Sequence, residues 1–113
     1  MNKQGYSGEL KRSSEQKQAI RRAFGALAQF YDVWYDTPLG KYVWSVEATA
    51  IRELLPEKMG EIIIDVGVGT GMSLSVLRDF LGHFIGVDIA WQMIEKARQK
   101  TKNFIKSHLV LAD

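Results

Sequence analysis

The sequence predicts an α/β fold in which two N-terminal helices precede a βαβαβ unit of parallel strands. Three observations carry this prediction: apolar residues recur at intervals of three and four in the first half, β-branched runs appear in the second half, and a glycine-rich turn directly follows the first of these runs. A chain of 113 residues has room for one compact domain. The lack of cysteine excludes disulfide scaffolds and cysteine-ligated metal sites.

The first amphipathic helix is expected over 14–34. Ser13 and Gln16 have the spacing of a capping box, which favours a helix start at this point. Residues 1–13 are polar and glycine-containing, so we expect a disordered tail there. The apolar stripe of the helix consists of Ile20, Phe24, Leu27, Tyr31 and Trp34.

A second helix is expected directly after the first. Thr37 is a favoured N-cap residue, and Pro38 is favoured at the first helical position because its missing N–H has no helical partner there anyway. The helix should end near Pro56, since proline cannot continue it. Residues 14–55 therefore form a helical N-terminal half.

In the second half of the sequence, residues 61–113, apolar and β-branched runs predict strands at 62–66, 84–88 and 108–112. The first strand is β-branched with no polar alternation until its end, which favours a parallel strand covered on both faces. Helices are expected after the glycine-rich turn and over 91–103. The former would carry Leu74, Val76, Leu77, Phe80 and Leu81 and close at Gly82. The latter would turn a basic face to solvent, including Lys96, Arg98, Lys100 and Lys102.

Charge is unevenly distributed along the chain. The formal net charge is +2, but residues 1–22 alone carry +4 from six basic and two acidic residues. Such a segment can contact phosphates or an anionic lipid surface, yet its composition favours a solvated tail, so nucleic-acid binding is not expected. No apolar run approaches the roughly 18 residues of a membrane span, and the first 18 residues hold no apolar run typical of a secretory signal, so we expect a cytoplasmic location. No metal site is expected.

The turn after the first strand has the composition of a ligand-binding loop. Glycines let the backbone approach a ligand, and the start of a helix presents unpaired N–H groups. Gly67 and Gly69 match the first two glycines of a dinucleotide fingerprint, but Met72 stands at the position of the third. The third glycine is Gly71 instead, and Asp65 lies two residues before the first.

A second motif lies at 86–97, where Asp88 ends the second strand and a Met-Ile pair and an alanine follow. The first motif, Asp65-x-Gly-x-Gly-x-Gly, and this second one together resemble the class I S-adenosylmethionine-dependent methyltransferases. Upstream, 24–47, with its Tyr31-Asp pair, is similar to the N-terminal cap helices of small-molecule members. The resemblance implies a doubly wound, Rossmann-like sheet with S-adenosylmethionine as cofactor.

The resemblance also implies roles for the residues around the turn. Gly67 and Gly69, with Gly71 completing the motif, would run under the methionine and ribose of the cofactor. Asp65 would hold the ammonium group directly or through water. Asp88 would accept hydrogen bonds from both ribose hydroxyls, which suits its place at the carboxyl end of a strand.

Further contacts implied by the resemblance come from outside the turn. Ile89 would cover one face of the adenine, with Met93 beside it, and Asp113 would accept from the adenine amino group. Tyr31 would lie over the pocket. Each has a structural alternative: Ile89, Met93 and Tyr31 can be core residues, and Asp88 can cap the helix that follows it.

A doubly wound sheet of seven strands needs at least about 150 residues, whereas this chain supplies three strands, so we expect an incomplete domain truncated after the third strand. The edge of strand 62–66 would then be unpaired, which predicts a homodimer or a complementing chain there. No catalytic residue can be named.

The expected function is methyl transfer from S-adenosylmethionine to an unidentified small-molecule acceptor. A non-catalytic cofactor-binding fragment or subunit that needs a partner chain is the first alternative. A nicotinamide-dependent oxidoreductase is disfavoured by Met72.

Overall fold

The computed structural model describes residues 3–56, 60–77, 82–103 and 106–113. It contains three α-helices, three strands and one short 3₁₀ helix in these ranges. In chain order the elements are α1 (Lys3–Tyr35), α2 (Pro38–Leu54), β1 (Ile62–Val66), the 3₁₀ helix (Met72–Ser75), β2 (His83–Asp88), α3 (Trp91–Thr101) and β3 (Ser107–Leu111).

The three strands form one parallel sheet in the order β1-β2-β3. Ile64 of β1 lies beside Ile85 of β2, which in turn lies beside His108 of β3. The predicted α/β class, the parallel pairing and the three strand positions are therefore confirmed. Within the described residues, β1 pairs on one side only, so its other edge is open.

α1 begins eleven residues before the predicted start at residue 14. It is helical from Lys3, whereas 1–13 was expected to be a disordered tail and the helix to span 14–34. No proline interrupts this segment, and Glu9, Leu10 and Lys11 are strong helix formers, so the helix extends without a core to pack against. Residues 8–23 contain no buried side chain. No helix in the described part of the chain is long and apolar enough to cross a membrane.

α2 begins and ends as predicted. The Thr37 hydroxyl accepts a hydrogen bond from the Gly40 amide at 3.1 Å and donates one to the Trp34 carbonyl at 2.6 Å. One side chain therefore caps the start of α2 and binds the end of α1. The helix ends at Leu54, two residues before Pro56.

The helix predicted after the glycine-rich turn is wrong over its described part. Only Met72–Ser75 is helical, and its hydrogen bonds are of the 3₁₀ type. The Ser75 hydroxyl donates to the Met72 carbonyl at 2.9 Å, a local bond to the backbone that competes with an α-helix. The Ser73 hydroxyl donates to the Asp65 carboxylate and so connects this segment to β1. Phe80 and Leu81, which were expected to continue the apolar face of this helix, lie outside the described residues.

The sheet is covered on one face. A core cluster joins β2 to the segment after the turn and to α3, and its buried members are Val68, Leu74, Leu77, Phe84 and Ile94. On the opposite face Ile62, Ile64 and Val66 of β1 are 58%, 61% and 82% exposed. The prediction that this strand is covered on both faces is therefore wrong for the described residues. The 3₁₀ helix and α3 belong to successive crossovers between parallel strands, and such crossovers share one handedness, which puts both on the same face.

Candidate functional site

The glycine-rich loop folds over the carboxyl end of the neighbouring strand. The Gly67 and Val68 amides both donate to the Val87 carbonyl, at 2.8 and 2.9 Å. Gly67 and Gly69 have φ angles of 81° and 55°, in the left-handed region that residues with a Cβ rarely adopt. The loop thus depends on glycine at these points, and it lies at the edge of the sheet where open α/β folds bind ligands.

The three glycines of the loop differ in their surroundings. A Cβ built on Gly67 or Gly69 would meet no described atom within 4 Å. A Cβ on Gly71 would lie 3.1 Å from Leu74 Cδ1 and 3.3 Å from Ala97 Cβ. Gly71 therefore allows the loop to pack against α3, whereas Gly67 and Gly69 border open space that can receive a ligand.

Asp88 lies beside this space, and its carboxylate is held by two backbone amides. The Gly69 amide donates to Oδ2 and the Ala90 amide to Oδ1, both at 2.9 Å. These bonds fix the orientation of the carboxylate and connect the loop to the start of α3. Each oxygen can accept a further hydrogen bond, so the group can also bind a pair of hydroxyls. The alternative that Asp88 caps α3 is wrong: the N-cap residue is Ala90, no side chain of the described residues caps this helix, and Asp88 instead closes a two-residue turn before it.

Asp65 lies on the other side of the loop. It is half-buried on the covered face of β1, and its Oδ2 accepts a hydrogen bond from the Ser73 hydroxyl at 2.5 Å. The acid before the glycines therefore connects the strand to the 3₁₀ helix. Its binding of a cofactor ammonium group stays a prediction.

The structure brings Tyr31, Ile89 and Met93 into one cluster with Ala28 and Ala90. Met93 is 1% exposed, which agrees with the core alternative for this residue. Tyr31 and Ile89 are half-buried and keep surface for a ligand. Because Ala28 and Tyr31 belong to α1, this cluster is where the N-terminal helix meets the start of α3.

Asp113 is bound elsewhere. Its carboxylate pairs with Lys17 Nζ at 3.0 Å and with Arg21 at 3.4 Å. The hydrogen bond from Lys17 lowers the pKa of Asp113, with the charges of Lys17 and Arg21 acting in the same direction. The neighbouring Ala112 amide donates to the Asp88 carbonyl at 3.0 Å, so the backbone is close to the site although the side chain is held by α1. Contact with an adenine amino group stays a prediction.

Sequence reasoning missed a polar cluster beside the loop. Thr70 Oγ1 donates to Asp32 Oδ1 at 2.6 Å, and Lys100 Nζ donates to Asp32 Oδ2 at 2.7 Å and to the Thr70 carbonyl at 2.8 Å. Lys100 was expected on a solvent-facing basic surface, and for this residue the expectation is wrong. The sequence held one sign of this cluster: Asp32 directly follows Tyr31, which is a member of the predicted apolar stripe.

Comparisons with known proteins agree with this geometry. A family model described as a methyltransferase domain matches residues 63–113. An uncharacterized protein of Mycobacterium tuberculosis is 35% identical over 78 residues, which are 69% of this chain and 26% of that protein. A malonyl-[acyl-carrier protein] O-methyltransferase of Marinomonas is 26% identical over 99 residues, 86% of this chain and 34% of the enzyme.

A solved structure of a methyltransferase is also similar to this chain. The methyltransferase bound to the Trm112 methyltransferase activator of Haloferax volcanii superposes with a TM-score of 0.61 and 26% identity, covering 83% of this chain and 39% of that one. The chain thus spans about a quarter to a third of the length of the curated relatives named above. The two motifs, the parallel sheet and these matches together support a fragment of the class I S-adenosylmethionine-dependent methyltransferase fold.

Proposed function

We propose that this chain forms the cofactor-binding part of a methyltransferase that transfers a methyl group from S-adenosylmethionine to a small-molecule acceptor. The observation that carries the proposal is the open space along Gly67 and Gly69 beside the oriented carboxylate of Asp88. The glycines supply close approach, and the carboxylate supplies paired acceptors for the ribose hydroxyls.

The residues around this space have complementary parts in holding the cofactor. Asp65 provides negative charge for the ammonium group, and Ile89 and Tyr31 provide partly exposed apolar surface for the adenine. Bound S-adenosylmethionine supplies a methyl group on a positively charged sulfur, already activated for transfer. The protein's task is then to hold the cofactor so that the acceptor can approach the methyl group in line.

The test is isothermal titration of the 113-residue chain with S-adenosylhomocysteine. Asp88→Ala removes hydrogen bonds to a charged acceptor, so the affinity should fall at least about tenfold. Asp36→Ala, at an exposed position in the α1–α2 turn, is the matched control and should bind as the wild type does. No saturable heat with the wild type, or equal affinities for wild type and Asp88→Ala, would contradict the proposal. Competition with NAD separates it from the oxidoreductase alternative.

A second candidate is a cofactor-binding subunit that needs another polypeptide for turnover. It is favoured by the open edge of β1 and by the exposed apolar face formed by Ile62, Ile64 and Val66. We propose that this edge pairs with a strand from a second copy or from a complementing polypeptide. The structurally similar Haloferax volcanii protein was solved in complex with a methyltransferase activator.

A further inference from the structure

The polar cluster of Asp32, Thr70 and Lys100 connects three separate elements. Asp32 lies on α1, Thr70 lies in the glycine-rich loop, and Lys100 lies in the last turn of α3. The ammonium group of Lys100 donates to both of the other residues, at 2.7 and 2.8 Å, and the Thr70 hydroxyl donates to Asp32 at 2.6 Å. The three bonds close a ring, so displacement of any member affects the other two.

The surroundings of the ring strengthen it relative to a surface ion pair. Thr70 is 1% exposed, and the Lys100 and Asp32 side chains are 32% and 35% exposed. Partial removal from water weakens solvent competition for charge-assisted bonds. This partly buried ring therefore restrains the positions of its three residues more than a fully solvated ion pair would, since such a pair contributes little to stability.

Each acceptor in the ring adjoins a residue assigned to the cofactor. Asp32 follows Tyr31 directly, and Thr70 lies between Gly69 and Gly71. The Gly69 amide in turn donates to Asp88. The ring therefore fixes the spacing between the α1 turn that carries Tyr31 and the loop that borders the open space.

We propose that Lys100 is a positioning residue for the cofactor site: it holds Asp32 and Thr70 together and so keeps the glycine-rich loop and Tyr31 at the separation that S-adenosylmethionine requires. This inference rests on the proposed function. Among the described residues, the hydrogen bonds of Lys100 go to Asp32 and Thr70 and none goes to the glycines or to Asp88, so Lys100 acts through its two acceptors.

The first test is backbone amide hydrogen exchange in the 113-residue chain without cofactor. In Lys100→Met, exchange of the Gly71 amide, which donates to the Val68 carbonyl at 3.0 Å, should accelerate about tenfold or more, while α2 amides stay unchanged. Lys100→Arg keeps the charge and N–H donors and should retain most of the protection. Lys102→Met, an exposed lysine just beyond α3, is the control and should retain all of it.

Two exchange results would overturn the inference. Unchanged exchange at Gly71 in Lys100→Met would mean that the ring does not hold the loop. An equal acceleration in α2 and β2 would mean that Lys100 supports the stability of the whole chain without positioning the site.

The second test is affinity for S-adenosylhomocysteine. Lys100→Met should weaken binding about tenfold, and Lys100→Arg should restore most of the loss. Equal affinities for the wild type and Lys100→Met would overturn the inference. If the wild type itself does not bind, the proposed function fails, whereas hydrogen exchange still decides whether Lys100 holds the loop.

Discussion

Gly67 and Gly71 share a left-handed backbone, with φ of 81° and 83°, but their surroundings separate two roles of glycine in the same loop. Alanine at either position carries the strain of a left-handed residue, about 1–2 kcal/mol. At Gly71 the added methyl also meets Leu74 and Ala97 at 3.1–3.3 Å. At Gly67 it enters only open space, which is the space proposed for the cofactor.

We therefore expect Gly71→Ala to lower the free energy of unfolding by about 2–4 kcal/mol and Gly67→Ala by only about 1–2 kcal/mol. Gly67→Ala should nevertheless abolish most binding of S-adenosylhomocysteine, because its methyl group occupies ligand space. Urea unfolding and calorimetric titration measure the two effects. Gly8→Ala, on an exposed turn of α1 with nothing within 4 Å, is the control for a glycine outside the loop. Equal stability losses at Gly67 and Gly71, with unchanged binding in Gly67→Ala, would contradict this distinction.

At the scale of elements, α1 and α2 meet through aromatic rings. The Tyr35 ring lies 5.5 Å from that of Tyr31 and 6.0 Å from that of Trp44, and its hydroxyl donates to Glu47 at 3.4 Å. Burial raises the pKa of Tyr35 above its usual value of 10.0, and the neighbouring Tyr31 and Glu47 raise it further. The packing of the two helices therefore favours the protonated hydroxyl.

This shift makes the stability of the helical pair dependent on pH. Above pH 10.0 the unfolded chain releases the Tyr35 proton while the folded chain keeps it, so the free energy of unfolding falls as the pH rises. We expect Tyr35→Phe to remove this part of the loss. Urea unfolding below and above pH 10.0 measures it. The same decrease in both proteins would show that Tyr35 is not its source.

The elements that the sequence predicted well are those whose signal is local. β1 appeared as a β-branched run, and α2 as a threonine cap followed by proline, because strand propensity and helix caps depend on near neighbours. The prediction of an α-helix after the glycine-rich loop was wrong because Ser73 and Ser75 make side-chain hydrogen bonds that the spacing of apolar residues does not reveal.

The site shows the same division. Gly67, Gly69 and Asp88 could be found from their spacing, and the structure places them around one space. The role of Lys100 could not be found in this way, because its hydrogen-bond partners are 68 and 30 residues away in the sequence. The helical pattern alone places Lys100 on the solvent-facing side of α3. Contacts between distant elements require the packing of α1 on α3, which sequence periodicity does not specify.

At the scale of the whole molecule, the sheet has a covered face and an open one. The backbone of β1 is unpaired along one edge within the described residues, and Ile64 on the open face is 61% exposed. An exposed apolar edge strand recruits another strand, and lysine on such an edge suppresses pairing. Self-association or capture of a complementing strand should therefore depend on this surface.

Ile64→Lys should reduce concentration-dependent association of the 113-residue chain, because it places a charge on the open face of β1 without changing the covered face. Sedimentation velocity over a range of concentrations measures the effect. Leu10→Lys is the matched control, since Leu10 is an apolar side chain on α1 that is 69% exposed and far along the chain from the sheet. A wild type that stays monomeric at every concentration, or association that is lost equally in both variants, would exclude β1 as the pairing edge. Retained affinity of Ile64→Lys for S-adenosylhomocysteine would further show that cofactor binding, on the carboxyl edge of the sheet, is independent of what pairs with β1.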